Sequence, residues 1–199
     1  MNYLAHLALS YPEPDLIGGN YLFDLVTPAE AKELHPYFER GVRLHKWIDH
    51  YSNQDPHLRE MNRYFHPVVH KYAPVASDII CDHLLFLSWQ NHFHIPFKGF
   101  AEDNYAILLE STRWMPQRIS TICVRMVEHR WLSQYESIEG VRQVLSRTNL
   151  KTQFPVDLLQ VIPVVEEHLQ HFQDLFDRFF QQCLAERNQW ISLQNERTG

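Results

Sequence analysis

Between Asp78 and Leu87 the chain reads Asp-Ile-Ile-Cys-Asp-His-Leu-Leu-Phe-Leu. The stretch is apolar on every helical face apart from three ionisable side chains. A helix that is hydrophobic all round belongs in the middle of a fold. It fixes a buried central helix, and the rest of the chain must supply the layers around it. A buried carboxylate also requires a cation, a hydrogen-bond network or a metal. Asp78 and Asp82 are spaced i, i+4 and share one face, and His83 adjoins Asp82.

The surrounding sequence is helical too. Glycine is scarce, with 6 residues in 199, alternating β-branched runs are nearly absent, and prolines punctuate segments of helical spacing. The spacing predicts a helix to about Ser10, a turn at Tyr11-Pro12-Glu13-Pro14, and a helix from Asp15, as N-cap, to about Leu25. Further helices are expected from Pro36 to about Tyr51, from Pro56, from Val75 to His92, over Phe97–Glu110, Pro116–Glu128 and Ile138–Ser146, and from Pro155 or Pro163 to Ile191. The expected architecture is all-α, a single-domain helical bundle over residues 1–194, with 195–199 a frayed tail.

Hydrophobic content of 45% and charged content of 21% suit a globular protein. No uncharged run is long enough to span a membrane. The N-terminus lacks the charged region and cleavage pattern of a signal peptide. Cys81, Cys123 and Cys183 form neither zinc spacing nor a disulfide framework, which points to a reducing cytoplasm. An apolar setting disfavours Cys81 as a nucleophile. The segment from His35 to Lys71 holds six of the 13 histidines, and six Lys or Arg against four Asp or Glu, on a chain of formal net charge −6. A basic patch on an acidic protein suits an anionic substrate or partner and not duplex DNA. No Gly-rich phosphate loop, Walker pattern or Gly-x-Ser-x-Gly elbow occurs. Tyr64-Phe65 and the phenylalanines at 172, 176, 179 and 180 read as core.

Candidate ligands lie on several segments. His45 and Asp49 are i, i+4 on one face and can share a divalent ion; a surface ion pair is the alternative. Asp24 ends an apolar run as a possible ligand or helix-end cap. Asp78, Asp82 and His83 are ligands or members of a buried ion pair with an arginine. His6, flanked by Tyr3, Leu4 and Leu7, is a ligand or a histidine that orients one. Helical bundles build metal centres from facing helices, and carboxylate mixed with imidazole favours Mn²⁺, Mg²⁺ or Fe²⁺ over thiolate zinc.

Met1-Asn2-Tyr3-Leu4-Ala5-His6-Leu7, Gly19-Asn20 with Asp24, Gly41-x3-His45-x2-Ile48-Asp49, Asp78-x3-Asp82-His83-Leu84, Trp131-Leu132-x2-Tyr135 and Gly140-Val141-x3-Leu145 together resemble the acyl-carrier-protein phosphodiesterase family, in order and over nearly the whole chain. That family is similar to the all-helical HD-type metal-dependent phosphohydrolases. The resemblance implies hydrolysis of the 4′-phosphopantetheine–serine bond of holo-acyl carrier protein, with Mn²⁺ as the ion and an acidic carrier as partner, in acyl-lipid metabolism. It implies Asp24, His45, Asp49 and Asp82 as metal ligands, His83 in proton transfer or orientation, and Arg43 and Lys46 as contacts to phosphate or carrier. Ser52-Asn53 stands where the family pattern carries Thr-Asp, and Lys46 where Arg is common. The alternatives are a phosphohydrolase of the same type acting on a nucleotide or small phosphate ester, and a non-catalytic binder of acyl carrier protein.

Overall fold

The computed structural model of the protein describes the backbone of residues 3–196 and side chains to residue 194. The helices are α1 (Tyr3–Ser10), α2 (Pro14–Phe23), α3 (Glu39–Gln54), α4 (Pro56–Val69), α5 (Ala73–Leu87), α6 (Trp89–His92), α7 (Phe97–Ser111), α8 (Gln117–Glu128), α9 (Ile138–Asn149) and α10 (Val161–Glu196), joined by short 3₁₀ turns. No strand occurs among the described residues, so the all-α expectation holds. Residues 195 and 196 continue the last helix, and the rest of the tail expected to fray lies outside the described residues.

The Asp78–Leu87 run forms the middle helix. Helix α5 packs against α1, α4, α9 and α10, and Ile79, Ile80, Cys81, Leu84 and Leu85 are all buried. It ends at Leu87, and Ser88 separates it from the short α6, so the single helix expected to His92 is two. Helix α10 supplies the aromatic wall. Phe172, Phe176, Phe179 and Phe180 recur at helical spacing and have no exposed surface. Each such burial is worth roughly 1.5–3 kcal/mol. These rings are core, as their spacing suggests. A kink at His168 (φ −115°, ψ 19°) divides α10.

Two entrances to helices differ from expectation. Glu13, not Asp15, is the N-cap of α2, and Pro14 fills the first turn, where its missing N–H costs nothing. The Asp15 carboxylate accepts a hydrogen bond from Arg40 at 2.8 Å, and Glu13 accepts one from the same guanidinium at 2.7 Å. Pro36 opens a 3₁₀ turn (Pro36–Phe38) that leads into α3.

The feature that positions the site is the crossing of α2 and α3. A Cβ on Gly19 would lie 2.8 Å from the Cα of Gly41, and one on Gly41 would lie 2.6 Å from the backbone oxygens of Asp15 and Leu16. Only hydrogen fits at either position, so the two backbones touch. That contact carries Asn20, next to Gly19, against His45, one helical turn beyond Gly41.

Candidate metal centre

Helices α1, α2 and α3 each bring a polar side chain to one point. His6 comes from α1, Asn20 from α2, and His45 and Asp49 from α3; Asp24 follows the last residue of α2. His6, Asn20 and His45 are buried, while Asp24 and Asp49 are about half exposed. The imidazoles of His6 and His45 stack, with centroids 4.4 Å apart and planes 19° from parallel.

Asn20 fixes both rings. Its Oδ1 lies 2.8 Å from Nδ1 of His6 and 2.8 Å from Nδ1 of His45, and its backbone oxygen is 3.0 Å from the latter nitrogen. The amide orientation is set from the other end. Asn20 Nδ2 donates to the His6 carbonyl at 3.0 Å and to Ser10 Oγ at 2.7 Å, and Ser10 in turn donates to the His6 carbonyl at 2.9 Å. Oδ1 can only accept, so each Nδ1 carries hydrogen and each Nε2 is the atom turned toward the carboxylates. One buried amide thus dictates two tautomers.

The Nε2 atoms meet the acids. His45 Nε2 is 3.2 Å from Asp24 Oδ1 and 3.2 Å from Asp49 Oδ2. His6 Nε2 is 3.4 Å from Asp49 Oδ1, yet it is buried and makes no hydrogen bond among the described residues. Burial opposes charging of His45, but hydrogen bonds to Asp24 and Asp49 outweigh it and lift its pKa to about 9. Burial works against ionisation of Asp49 and Asp24 as well, and the imidazoles prevail, holding both carboxyls below the usual range. His6 is pushed down, chiefly by burial. Ligand atoms of His6, His45 and Asp49 all lie within 4.8 Å of one another. Two imidazole Nε2 atoms aimed at one point, one of them buried without a hydrogen bond and the other, on His45, holding a proton that a bound ion would displace, together with two adjoining carboxylates, are a donor set that fits a divalent cation. His6, His45, Asp49 and Asp24 are the residues that would hold it.

A polar cleft of about 390 Å³ opens from the two carboxylates. It is lined by Asp24, Asp49, Asn53, Arg59, Asn62 and Asp78, among others. Arg59 is its one cationic side chain among the described residues, and its Nε donates to the Asn53 carbonyl at 3.1 Å.

Three of the four proposed ligands, Asp24, His45 and Asp49, therefore come together, and Asp82 does not join them. Asp82 is fully buried and caps the start of α1. Its Oδ2 accepts from Leu4 N at 2.8 Å and its Oδ1 from Ala5 N at 3.0 Å. A helix N-terminus is a ready partner for a carboxylate, and these backbone donors satisfy the buried acid. His83 Nδ1 donates to the Tyr135 carbonyl at 2.7 Å and is likewise outside the cluster. Arg43 is exposed and lies 3.7 Å from Glu39. Lys46 sits over the Phe23 ring at 5.0 Å, and that ring meets His45 edge-on at 5.1 Å. Neither cation lines the polar cleft. Asn20 entered the sequence reading only as part of the Gly19-Asn20 motif, without a role, and Arg59 only as one of the basic residues between His35 and Lys71. The signal for Asn20 was its place beside a glycine pair, on the helix between the two that carry His6 and His45.

A model of the acyl carrier protein phosphodiesterase family matches residues 1–183. The chain belongs to that family. Among acyl carrier protein phosphodiesterases it is similar to one from Serratia proteamaculans, 26% identical over 94% of this chain and 97% of the relative. It is 24% identical to one from Pectobacterium atrosepticum, over 90% of this chain and 94% of the relative. With one from Salmonella newport the identity is 28%, over 73% and 76%. No solved structure matches the chain. Among the described residues no helix is long and apolar enough to cross a membrane.

Proposed function

We propose that this member of the acyl carrier protein phosphodiesterase family is a metal-dependent hydrolase that cleaves the phosphodiester between 4′-phosphopantetheine and the carrier serine, releasing apo-acyl carrier protein. The observation that carries the reading is the convergence of His6, His45 and Asp49 within 4.8 Å at the edge of a polar cleft. A divalent ion, Mn²⁺ by the mixed carboxylate and imidazole set, supplies Lewis acidity toward a phosphoryl oxygen and acidifies water. Asn20 holds both imidazoles with their Nε2 atoms facing inward, so neither ring rotates when a ligand arrives. Arg59 stands across the cleft as a guanidinium fork for phosphate oxygens. Asp24 and Asp49, half exposed at the mouth, are the carboxylates in reach of a proton lost from attacking water. The cluster of imidazole and carboxylate on several helices is the chemistry of HD-type phosphohydrolases, and the same reading places the protein in the cytoplasm, in keeping with three buried free cysteines.

Mass spectrometry of holo-acyl carrier protein after incubation with the protein and Mn²⁺ tests this. Loss of the prosthetic group is expected, abolished by chelator and by Asp49→Ala. Intact holo-carrier, or release undiminished in excess chelator, defeats the reading.

A further inference from the structure

A second cleft, of about 410 Å³, opens between Tyr3 at the start of α1 and the segment from Trp131 to Lys151. Its walls are Tyr3, Trp131, Tyr135, Val144 and Leu150, and its rim carries Arg147 and Lys151. No carboxylate lines it, in contrast to the cleft at the metal centre. We infer that this apolar cleft receives the acyl chain of a carrier whose arm ends in an acyl thioester, an inference that rests on the phosphodiesterase reading.

Tyr3 is the shared wall. It lies one helical turn before His6 on α1, so the two side chains neighbour each other along that helix. Its ring is 5.7 Å from that of Tyr21, the residue after Asn20, and 6.3 Å from Trp131. The Tyr3 hydroxyl also feels the centre: burial first, then the Asp24 charge, lift its pKa to about 12. One side of Tyr3 therefore borders the cluster that would hold the phosphate, and the other borders an apolar trough.

The two clefts differ in polarity as the two ends of an acylated arm do, with the pantetheine amides running between phosphate and acyl chain. The polar cleft presents carboxylates, amides and a guanidinium, and would desolvate those groups against an alkyl chain. The second cleft presents aromatic faces, the kind of lining that takes up an apolar ligand. Leu150 stands at its edge with 87% of its surface exposed, the most exposed large hydrophobic residue among those described. An alkyl chain in the trough would cover it. The rim cations are of the sign that meets an acidic carrier.

Octanoyl-pantetheine, which has no phosphate, is the probe. Calorimetric titration should show saturable binding to the wild-type protein and at least a tenfold weaker affinity in Thr148→Trp, which fills the cleft, and in Leu150→Asp. Leu150 is on the surface, so its variant carries the test if the tryptophan does not fold. On carrier substrates, both changes should lower kcat/KM for octanoyl-carrier at least tenfold more than for the unacylated holo form. Equal binding of the probe by wild type and both variants, or none by wild type, overturns the proposal. If the wild type releases no phosphopantetheine from any carrier, the reaction assignment fails, and the probe titration still decides the cleft.

Discussion

Asn20 Oδ1 lies 2.8 Å from His45 Nδ1, and this contact determines which nitrogen of His45 is available to an ion. The same oxygen takes the Nδ1 hydrogen of His6. Asn20→Ala removes the acceptor for both rings at once and leaves Ser10 and the two imidazoles to rearrange. Partners of this kind are worth about 10- to 100-fold in metal affinity. Mn²⁺ titration followed by electron paramagnetic resonance should show that loss, with helicity retained by circular dichroism. Unchanged affinity would mean that Asn20 holds the helices together but not the ligands.

Arg59 is the cation in the polar cleft, while Arg43 and Lys46 face elsewhere. Charge-assisted hydrogen bonds to a phosphate contribute about 1.5–3 kcal/mol each. Arg59→Ala should therefore raise KM for holo-carrier on the order of tenfold or more. Arg43→Ala, which breaks only an exposed pair with Glu39, should change it little. Steady-state kinetics on the two variants separates them, and the reverse ranking would return the phosphate contact to α3.

The fold was legible in the sequence because its signals are local. A proline marks the start of α4 at Pro56, and the apolar run after Asp78 could only be central. Asp24, His45 and Asp49 were legible only in combination: each alone reads equally as a surface ion pair or a helix-end cap, and it is their recurrence on separate helical segments that points to a shared site. Asp82 misled for a physical reason. A buried carboxylate demands donors, and sequence cannot tell a metal from the N–H groups of a helix 78 residues away. The roles of Asn20 and Arg59 escaped for the converse reason: neither side chain is anomalous in its own helix, and what each does depends on which helices cross.

The α2–α3 crossing gives a stability prediction. A methyl group on Gly41 would meet the Asp15 and Leu16 carbonyl oxygens at 2.6 Å and the Gly19 Cα at 2.6 Å. All three are backbone atoms, so no side chain can swing aside. Overpacking of this kind costs about 1–3 kcal/mol. Gly41→Ala should lower the denaturant midpoint accordingly. It should also weaken Mn²⁺ binding, since the helices must part and Asn20 moves with them. A stability loss with full metal affinity would show that Asn20 and His45 stay together without the glycine contact.

Asp82 supplies the pH dependence. Burial raises its pKa to about 7, opposed by the Ala5 and Leu4 N–H groups that favour the charged form. A folded-state pKa above the unfolded value of 3.8 means that the folded chain holds the proton more tightly. Its contribution is fully present below about pH 4, declines as pH rises toward 7, and is lost above that. The slope in between is at most about 1.4 kcal/mol per pH unit. Asp82→Asn keeps a neutral acceptor for α1 and cannot ionise. Urea unfolding at intervals from pH 4 to pH 8 should therefore show wild type losing stability relative to the variant across that window. Metal affinity should be unaffected, because Asp82 serves the start of α1 and not the ion. A variant that tracks wild type at every pH would place the titration elsewhere, and one that loses Mn²⁺ would restore Asp82 to the centre.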